Sequence, residues 1–336
     1  MAGLYDDAHL AALTEGLRGL TPEWGLSPRT RVRLLNISEN ATFRADDPEA
    51  EAPLVVRVHR PGYHTLAEID SELAWIDALR AAGAVATPAP VPARDGRRLV
   101  GFAPDGAPRQ AAAFAFMSGA EPDPDGDLAA GFEELGAISA RLHAHVRDWR
   151  RPAGFTRKAW DFDATVGDRP LWGDWRAGQG LTPEGRAVLE RAVADLRARL
   201  GAYGTGPDRF GLIHADLRLA NLLQDGDRLG VIDFDDCGFG WLMFDFAAAV
   251  SFIETDPRLA DLAAAWARGY RTVAPLAATD EAMLPALVML RRIQLTAWIA
   301  SHAETPTAQE MGPQFTTDTV AMADRYLSRG PEGVWP

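Results

Sequence analysis

The sequence predicts a two-lobed α+β protein: a small sheet with one inserted helix, followed by a larger, mainly helical lobe. Three observations predict it. Short β-branched runs crowd residues 31–59 and 98–117. One stretch of helical period, 65–82, interrupts them. After Gly119 the helical period dominates, and 336 residues suffice for two cores.

The elements follow in order. Residues 5–20 read as an amphipathic helix, with Leu10, Leu13 and Leu17 on one face. Strands are expected at 31–37, 41–45 and 54–59, the last two joined by the acidic turn Asp46-Asp47-Pro48-Glu49. Leu66, Ile69, Leu73, Ile76 and Leu79 give helix 65–82 its apolar stripe, and Gly83 stops it. The proline-rich 87–95 reads as loop, and 98–102 and 111–117 as two more strands. Gly119 to Asp127, rich in Pro, Gly and Asp, divides the chain into lobes 1–118 and 119–336. Helices are expected at 127–147, 182–201, 241–255, 257–274, 279–304 and 313–328, interrupted by a hairpin within 212–235.

Composition bounds the function. Apolar content of 47% and charged content of 24% are ordinary for a soluble globular protein. A net charge of −13 argues against a nucleic-acid binder and is compatible with a cationic small substrate. One cysteine, Cys237, excludes an internal disulfide framework and suits a reducing, cytoplasmic setting. No basic-then-apolar leader opens the chain. The most apolar window, Trp241 to Ile253, is short and carries Asp245, so no membrane span is expected. Lys158 is the only lysine, so any catalytic lysine role falls to arginine.

The chemistry concentrates in His214-Ala215-Asp216-Leu217-Arg218-Leu219-Ala220-Asn221 and Val231-Ile232-Asp233-Phe234-Asp235. Between them, Leu222 to Gln224 and Leu229 to Ile232 read as short strands, and Asp225-Gly226-Asp227 is hairpin turn chemistry. A hairpin brings its ends together, so Asp216, Asn221 and Asp233 should converge. Phosphoryl transfer asks a protein mainly to position groups and neutralise charge. Asp216 would accept the proton of, or orient, an attacking hydroxyl. Asn221 and Asp233 would offer hard oxygens to Mg²⁺. His214 reads as an orienter of the loop. Asp235 either adds a metal ligand or caps the following turn.

His214 to Asn221 resembles the catalytic loop of the aminoglycoside phosphotransferase/choline kinase family, and Ile232 to Asp235 resembles its metal-binding motif. Gly240-Trp241-Leu242-Met243-Phe244-Asp245-Phe246-Ala247 is similar to the helix start that follows there. The resemblance, closest to stress-response kinase A and homoserine-kinase-like members, implies a bilobal protein-kinase-like fold. Its small antiparallel-sheet lobe would bind nucleotide, and its larger helical lobe would carry catalysis and the acceptor. Asp245 would hydrogen-bond the backbone of the catalytic loop. The turn Asn36 to Phe43, with Ser38 and Asn40, would cover the nucleotide phosphates without the glycine-rich loop of protein kinases. Arg57 stands where kinases place a phosphate-gripping lysine, an adequate exchange because guanidinium binds phosphate in fork geometry. Its partner would be Glu72, with Glu68 the alternative. Phe116, Met117 and Ser118 would offer backbone groups to the adenine edge.

The co-substrate implied is ATP with Mg²⁺, although some relatives use GTP. The acceptor implied is a small-molecule hydroxyl, as in an aminoglycoside, amino alcohol or homoserine. A Ser/Thr protein kinase is the alternative, and a non-catalytic nucleotide-binding module is the rival from another class. Trp160, Trp175 and Arg292 are the acceptor-site candidates, with Arg291 and Trp298 beside them on the late helix. Neither nucleic acid nor membrane is an expected partner, and the chain would act as a monomer or homodimer.

Overall fold

The computed structural model describes residues 7–37, 40–104 and 106–336. It divides into two compact units, Met1–Ser118 with Arg151–Thr156, and Gly119–Arg150 with Arg157–Pro336. In the first unit, α1 (Asp7–Leu20) leads into β1 (Arg31–Ile37), β2 (Ala41–Asp46) and β3 (Leu54–Val58). Then come α2 (Leu66–Ala81), β4 (Pro90–Val91), β5 (Val100–Phe102) and β6 (Arg109–Ala115). The strands form one antiparallel sheet in the order β1-β2-β3-β6-β4, with β5 also paired to β6.

Alternation explains the layers. In β2, Ala41, Phe43 and Ala45 point to a core shared with Leu13 and Leu17 of α1, as do Val56 and Val58 of β3. Arg57, between those valines, faces the opposite side and is also buried, because α2 covers that side. Helix α2 begins in a capping box: Thr65 accepts from the Glu68 N–H, and Glu68 accepts from the Thr65 N–H. It ends at Gly83, whose φ of 61° is the left-handed stop that glycine adopts cheaply. Of its apolar stripe, Ile69, Leu73, Ile76 and Leu79 are buried, but Leu66 is exposed at the helix start. The expected loop at 87–95 contains β4, which the sheet accepts despite Pro90 because it lies at the edge.

The second unit contains α3 (Leu128–Asp148), β7 (Ala159–Trp160), α4 (Phe162–Thr165), α5 (Pro183–Tyr203), β8 (Phe210–Ile213), β9 (Leu222–Asp225) and β10 (Arg228–Val231). It continues with β11 (Gly238–Trp241), α6 (Phe244–Ala249), α7 (Leu259–Val273), α8 (Ala278–Glu281), α9 (Leu284–Ser301) and α10 (Pro306–Arg329). The expected helix 241–255 shrinks to α6, and its start becomes strand β11, paired with β8 and β7. Gly238 and Gly240 carry no side chains to announce that strand. The expected helix 279–304 splits, with α9 starting beside Pro285, a residue suited to a first helical turn. The last helix starts earlier than 313 and breaks at Gly312. The stretch with membrane-like hydropathy is Ala278–Ser301 rather than Trp241–Ile253. Every residue from Leu284 to Ile299 is buried, because α9 is the central helix of this unit.

Candidate active site

The loop from β8 to β9 is anchored on one buried carboxylate, that of Asp245. Asp245, at the start of α6, accepts from the Ala215 N–H at 2.7 Å and the His214 N–H at 3.3 Å. It also meets His143 Nε2 of α3 at 3.0 Å. His143 Nδ1 lies 3.1 Å from the Tyr270 hydroxyl, whose pKa burial pushes up to about 12, so it remains a donor. These contacts hold Ala215 at φ 66°, a left-handed conformation that alanine seldom adopts. The His214 ring completes the loop. Its Nε2 sits 3.1 Å from Ile232 O, and its Nδ1 accepts from the Asp216 N–H at 3.3 Å. A carbonyl accepts only, so the proton belongs on Nε2.

Asp216 emerges from this loop with both oxygens engaged. Oδ1 accepts from Arg291 Nη2 at 2.7 Å. Oδ2 accepts from Asn221 Nδ2 at 2.6 Å and Arg218 Nε at 3.2 Å. Burial pushes the carboxyl's pKa up, but Arg218 and Arg291 outweigh it and hold it below the ordinary carboxylate range. The group is therefore an anionic acceptor at neutral pH.

The hairpin sets the other oxygen donors. Strands β9 and β10 pair antiparallel from Leu222↔Val231 to Asp225↔Arg228 across a two-residue turn, with Gly226 at φ 60°. At its base the Ile232 N–H donates to Asn221 O at 2.9 Å, which sets Asp233 next along the chain from that contact. Asn221 spends its Nδ2 on Asp216 O and Oδ2, leaving Oδ1 outside those bonds. Asp233 is exposed, in a left-handed conformation at φ 60°. Phe234 turns inward and packs on the His214 ring at 4.5 Å between centroids. Asp235 is buried, and the backbone that follows is clamped. Arg157 donates to Asp235 O and Cys237 O, and Trp160 Nε1 donates to Asp236 O at 2.7 Å. An amide oxygen and an exposed carboxylate are the hard oxygen donors a Mg²⁺ nucleotide takes.

In the first unit, Arg57 Nη2 lies 2.6 Å from Glu72 Oε1 and 2.7 Å from Oε2, in a buried pair. Glu68 is spent on the helix cap, which leaves Glu72 to face β3. Asn40 is buried, and its Oδ1 accepts from the Arg60 N–H at 2.9 Å. Ser38 lies outside the described residues. Phe116 is exposed under the Arg44 guanidinium at 4.4 Å, and Met117 and Ser118 follow it in irregular backbone.

The acceptor candidates need correction. Trp160 and Trp175 are both buried, and each spends its ring N–H on a backbone carbonyl, so both pin loops to the core. Arg292 turns into the helical core, where it pairs with Glu254 at 2.6 Å and stacks on Phe315. Its neighbour Arg291 is the one that reaches Asp216. His143 had no assigned role in the sequence, and Arg291 was placed only beside the acceptor candidates on the late helix. For Arg291 a signal existed, since a charge inside a mostly apolar helix must have a buried partner.

An anionic carboxylate beside hard oxygen donors, on a protein-kinase-like fold, is an arrangement that would suit a phosphotransferase. The chain belongs to the phosphotransferase enzyme family APH, whose model matches residues 31–279. A microcompartment-associated aminopropanol kinase of known structure is 46% identical, with a TM-score of 0.86 over 93% of this chain and 97% of that one. An amicoumacin kinase in complex with AMP-PNP, Ca²⁺ and Ami shares the fold at 18% identity, with a TM-score of 0.75 over 94% of each chain. The homoserine kinase of Methylobacterium radiotolerans is 34% identical over 185 residues, 53% of this chain and about half, 54%, of that protein. The family's members are small-molecule kinases, and this chain is a phosphotransferase acting on a hydroxyl group.

Proposed function

We propose that the chain is an ATP-dependent, Mg²⁺-requiring kinase of short amino alcohols of the aminopropanol class. The contact between Asn221 Nδ2 and Asp216 Oδ2 at 2.6 Å carries the chemistry, because it joins the hydroxyl-handling carboxylate to a metal-facing amide in one rigid loop. The acceptor class rests on the likeness to the aminopropanol kinase, and the acidic chain suits a substrate bearing an ammonium group.

Asp216 orients the acceptor hydroxyl. The acceptor oxygen bonds to the γ-phosphorus while the bond from that phosphorus to the β–γ bridging oxygen breaks. ADP departs with the electron pair, and the acceptor's proton passes to Asp216. Because the transition state is loose, a carboxylate clamped in the right place matters more than a strong base. Asn221 and Asp233 would hold the metal, which when bound would neutralise the charge on the phosphates. His214 and Asp245 keep the loop in shape. Arg57, fixed by Glu72, meets the nucleotide phosphates, Ser38 and Asn40 are proposed as further donors to them, and Phe116 to Ser118 serve the adenine. The first unit is thus the nucleotide lobe and the second the catalytic one. Buried Cys237 suits a reducing compartment, and we place the enzyme in the cytoplasm.

Homoserine is the second reading, favoured by the partial match to homoserine kinases. The test is ADP release with Mg²⁺-ATP against aminopropanol, ethanolamine, choline, homoserine, an aminoglycoside and a Ser/Thr protein. The highest kcat/KM is expected with aminopropanol. A maximum at homoserine would install the second reading, and transfer to the protein alone would overturn both.

A further inference from the structure

We propose that Arg291 is a positioning residue for phosphoryl transfer, fixing the Asp216 carboxylate from inside the helical core in the orientation that receives the acceptor hydroxyl. The inference rests on the kinase reading above and goes beyond it, since Arg291 lies outside the segment that the family model matches, which ends at residue 279.

A guanidinium in the middle of α9 is costly. Every residue from Leu284 to Ile299 is buried, and the Arg291 side chain is 3% exposed. Such a charge persists only where its partners compensate it. Arg291 has a partner for each nitrogen: Nη2 on Asp216 Oδ1 at 2.7 Å, Nε on Ser251 Oγ at 3.1 Å, and Nη1 on Gln294 Oε1 at 3.4 Å. The rings of Trp172 and Phe244 lie 4.8 Å and 5.7 Å from its Cζ. Three donors spread over one rigid plane, with aromatic rings beside it, leave the fork no freedom to swing. Its orientation is therefore imposed on Oδ1. The Oδ2 side is held from within the loop itself, by Asn221 Nδ2 at 2.6 Å and by Arg218 at 3.2 Å from a side chain 26% exposed, so Arg291 is the donor that ties the carboxylate to the helical core.

Arg292 provides the built-in comparison. It is equally buried on the same helix, but its hydrogen-bond partners are Glu254, Thr319 and the Phe315 carbonyl rather than Asp216. A purely structural role for buried arginines on α9 would make the two positions equivalent. A positioning role makes them differ in turnover.

The experiment measures kcat, both KM values and thermal midpoint for wild type, Arg291→Gln, Arg291→Lys and Arg292→Gln with Mg²⁺-ATP and aminopropanol. Arg291→Gln should lower kcat by roughly 100-fold, the scale of a 1 Å misplacement, with both KM values near wild type. Arg291→Lys, which keeps the charge but loses the fork, should recover part of that loss. Arg292→Gln should lose thermal stability while keeping kcat. Wild-type kcat in both Arg291 variants overturns the proposal, as does a loss of kcat in Arg292→Gln matching that in Arg291→Gln. If Arg291→Gln does not fold, Arg291→Lys decides: a lowered kcat at unchanged KM supports the role, and full kcat removes it. Wild-type protein that transfers phosphate to no alcohol fails earlier and sinks the kinase reading itself, an outcome separate from a competent wild type indifferent to Arg291.

Discussion

Asp216 is held by an amide and two guanidinium groups, three donors for a carboxylate that can accept about four. Each donor stabilises the anion, so burial does not neutralise it, and each also fixes an angle. Asp216→Asn keeps the size but removes the charge, and it sets an amide among donors that need an acceptor. Turnover should fall roughly 10²- to 10⁴-fold, the range for a positioned acid–base group. Calorimetric titration with Mg²⁺-ADP should find nucleotide affinity unchanged, and a variant with wild-type turnover would remove Asp216 from the chemistry. Asp216 stood out in the sequence as a candidate because the residues grouped with it lie close by: Asn221, which contacts it, is five residues on, and Asp233 follows a single tight turn. His143 did not, since 102 residues separate it from Asp245 and nothing local marks its imidazole. Arg291 stands 75 residues from Asp216, and only its setting in an apolar helix hinted at a buried counter-charge.

Helix α2 shows how one element serves a core and a candidate site together. Its Ile69, Leu73, Ile76 and Leu79 are buried, while Glu72 on the same helix aims at Arg57 of β3. The side chains of that pair are 7% and 0% exposed, so solvent screens little of their attraction. Removing the carboxylate takes from a buried guanidinium the partner that meets it at 2.6 Å, a loss on the order of 3–5 kcal/mol. Glu72→Ala should therefore lower unfolding stability by that order and weaken the grip on nucleotide. Chemical denaturation checks the first and the KM for ATP the second. An intact KM would make Arg57 and Glu72 a structural pair alone. Helices α2, α3, α5 and α7 were readable from the sequence to within a residue or two, whereas the starts of α9 and α10, set at Pro285 and before the break at Gly312, were not. Nor were two short strands: β4 hides in a proline-rich stretch and β11 in a glycine-rich one, where the pairing strand, not local pattern, makes the strand.

At the scale of the whole molecule, the segment that defines the family and the segment that folds are different lengths. The family match ends at residue 279, just before the helix around which the second unit is assembled. Helix α9 packs against α4, α5, α6 and α10, and its arginines reach both the catalytic loop and Glu254. A chain ended at residue 279 would keep Asp216, Asn221, Asp233 and Asp245. It would nonetheless expose the apolar faces of α5 and α6 that α9 covers, and leave Asp216 and Glu254 without their buried counter-charges. Area lost from a core and charge pairs broken within it act in the same direction. The truncated chain should therefore show no cooperative unfolding of the second unit by circular dichroism, rapid proteolysis beyond residue 119, and no phosphate transfer. A soluble 1–279 fragment with a sharp unfolding transition would mean that the second unit has a core independent of α9. It would also detach Arg291 from the stability of the fold.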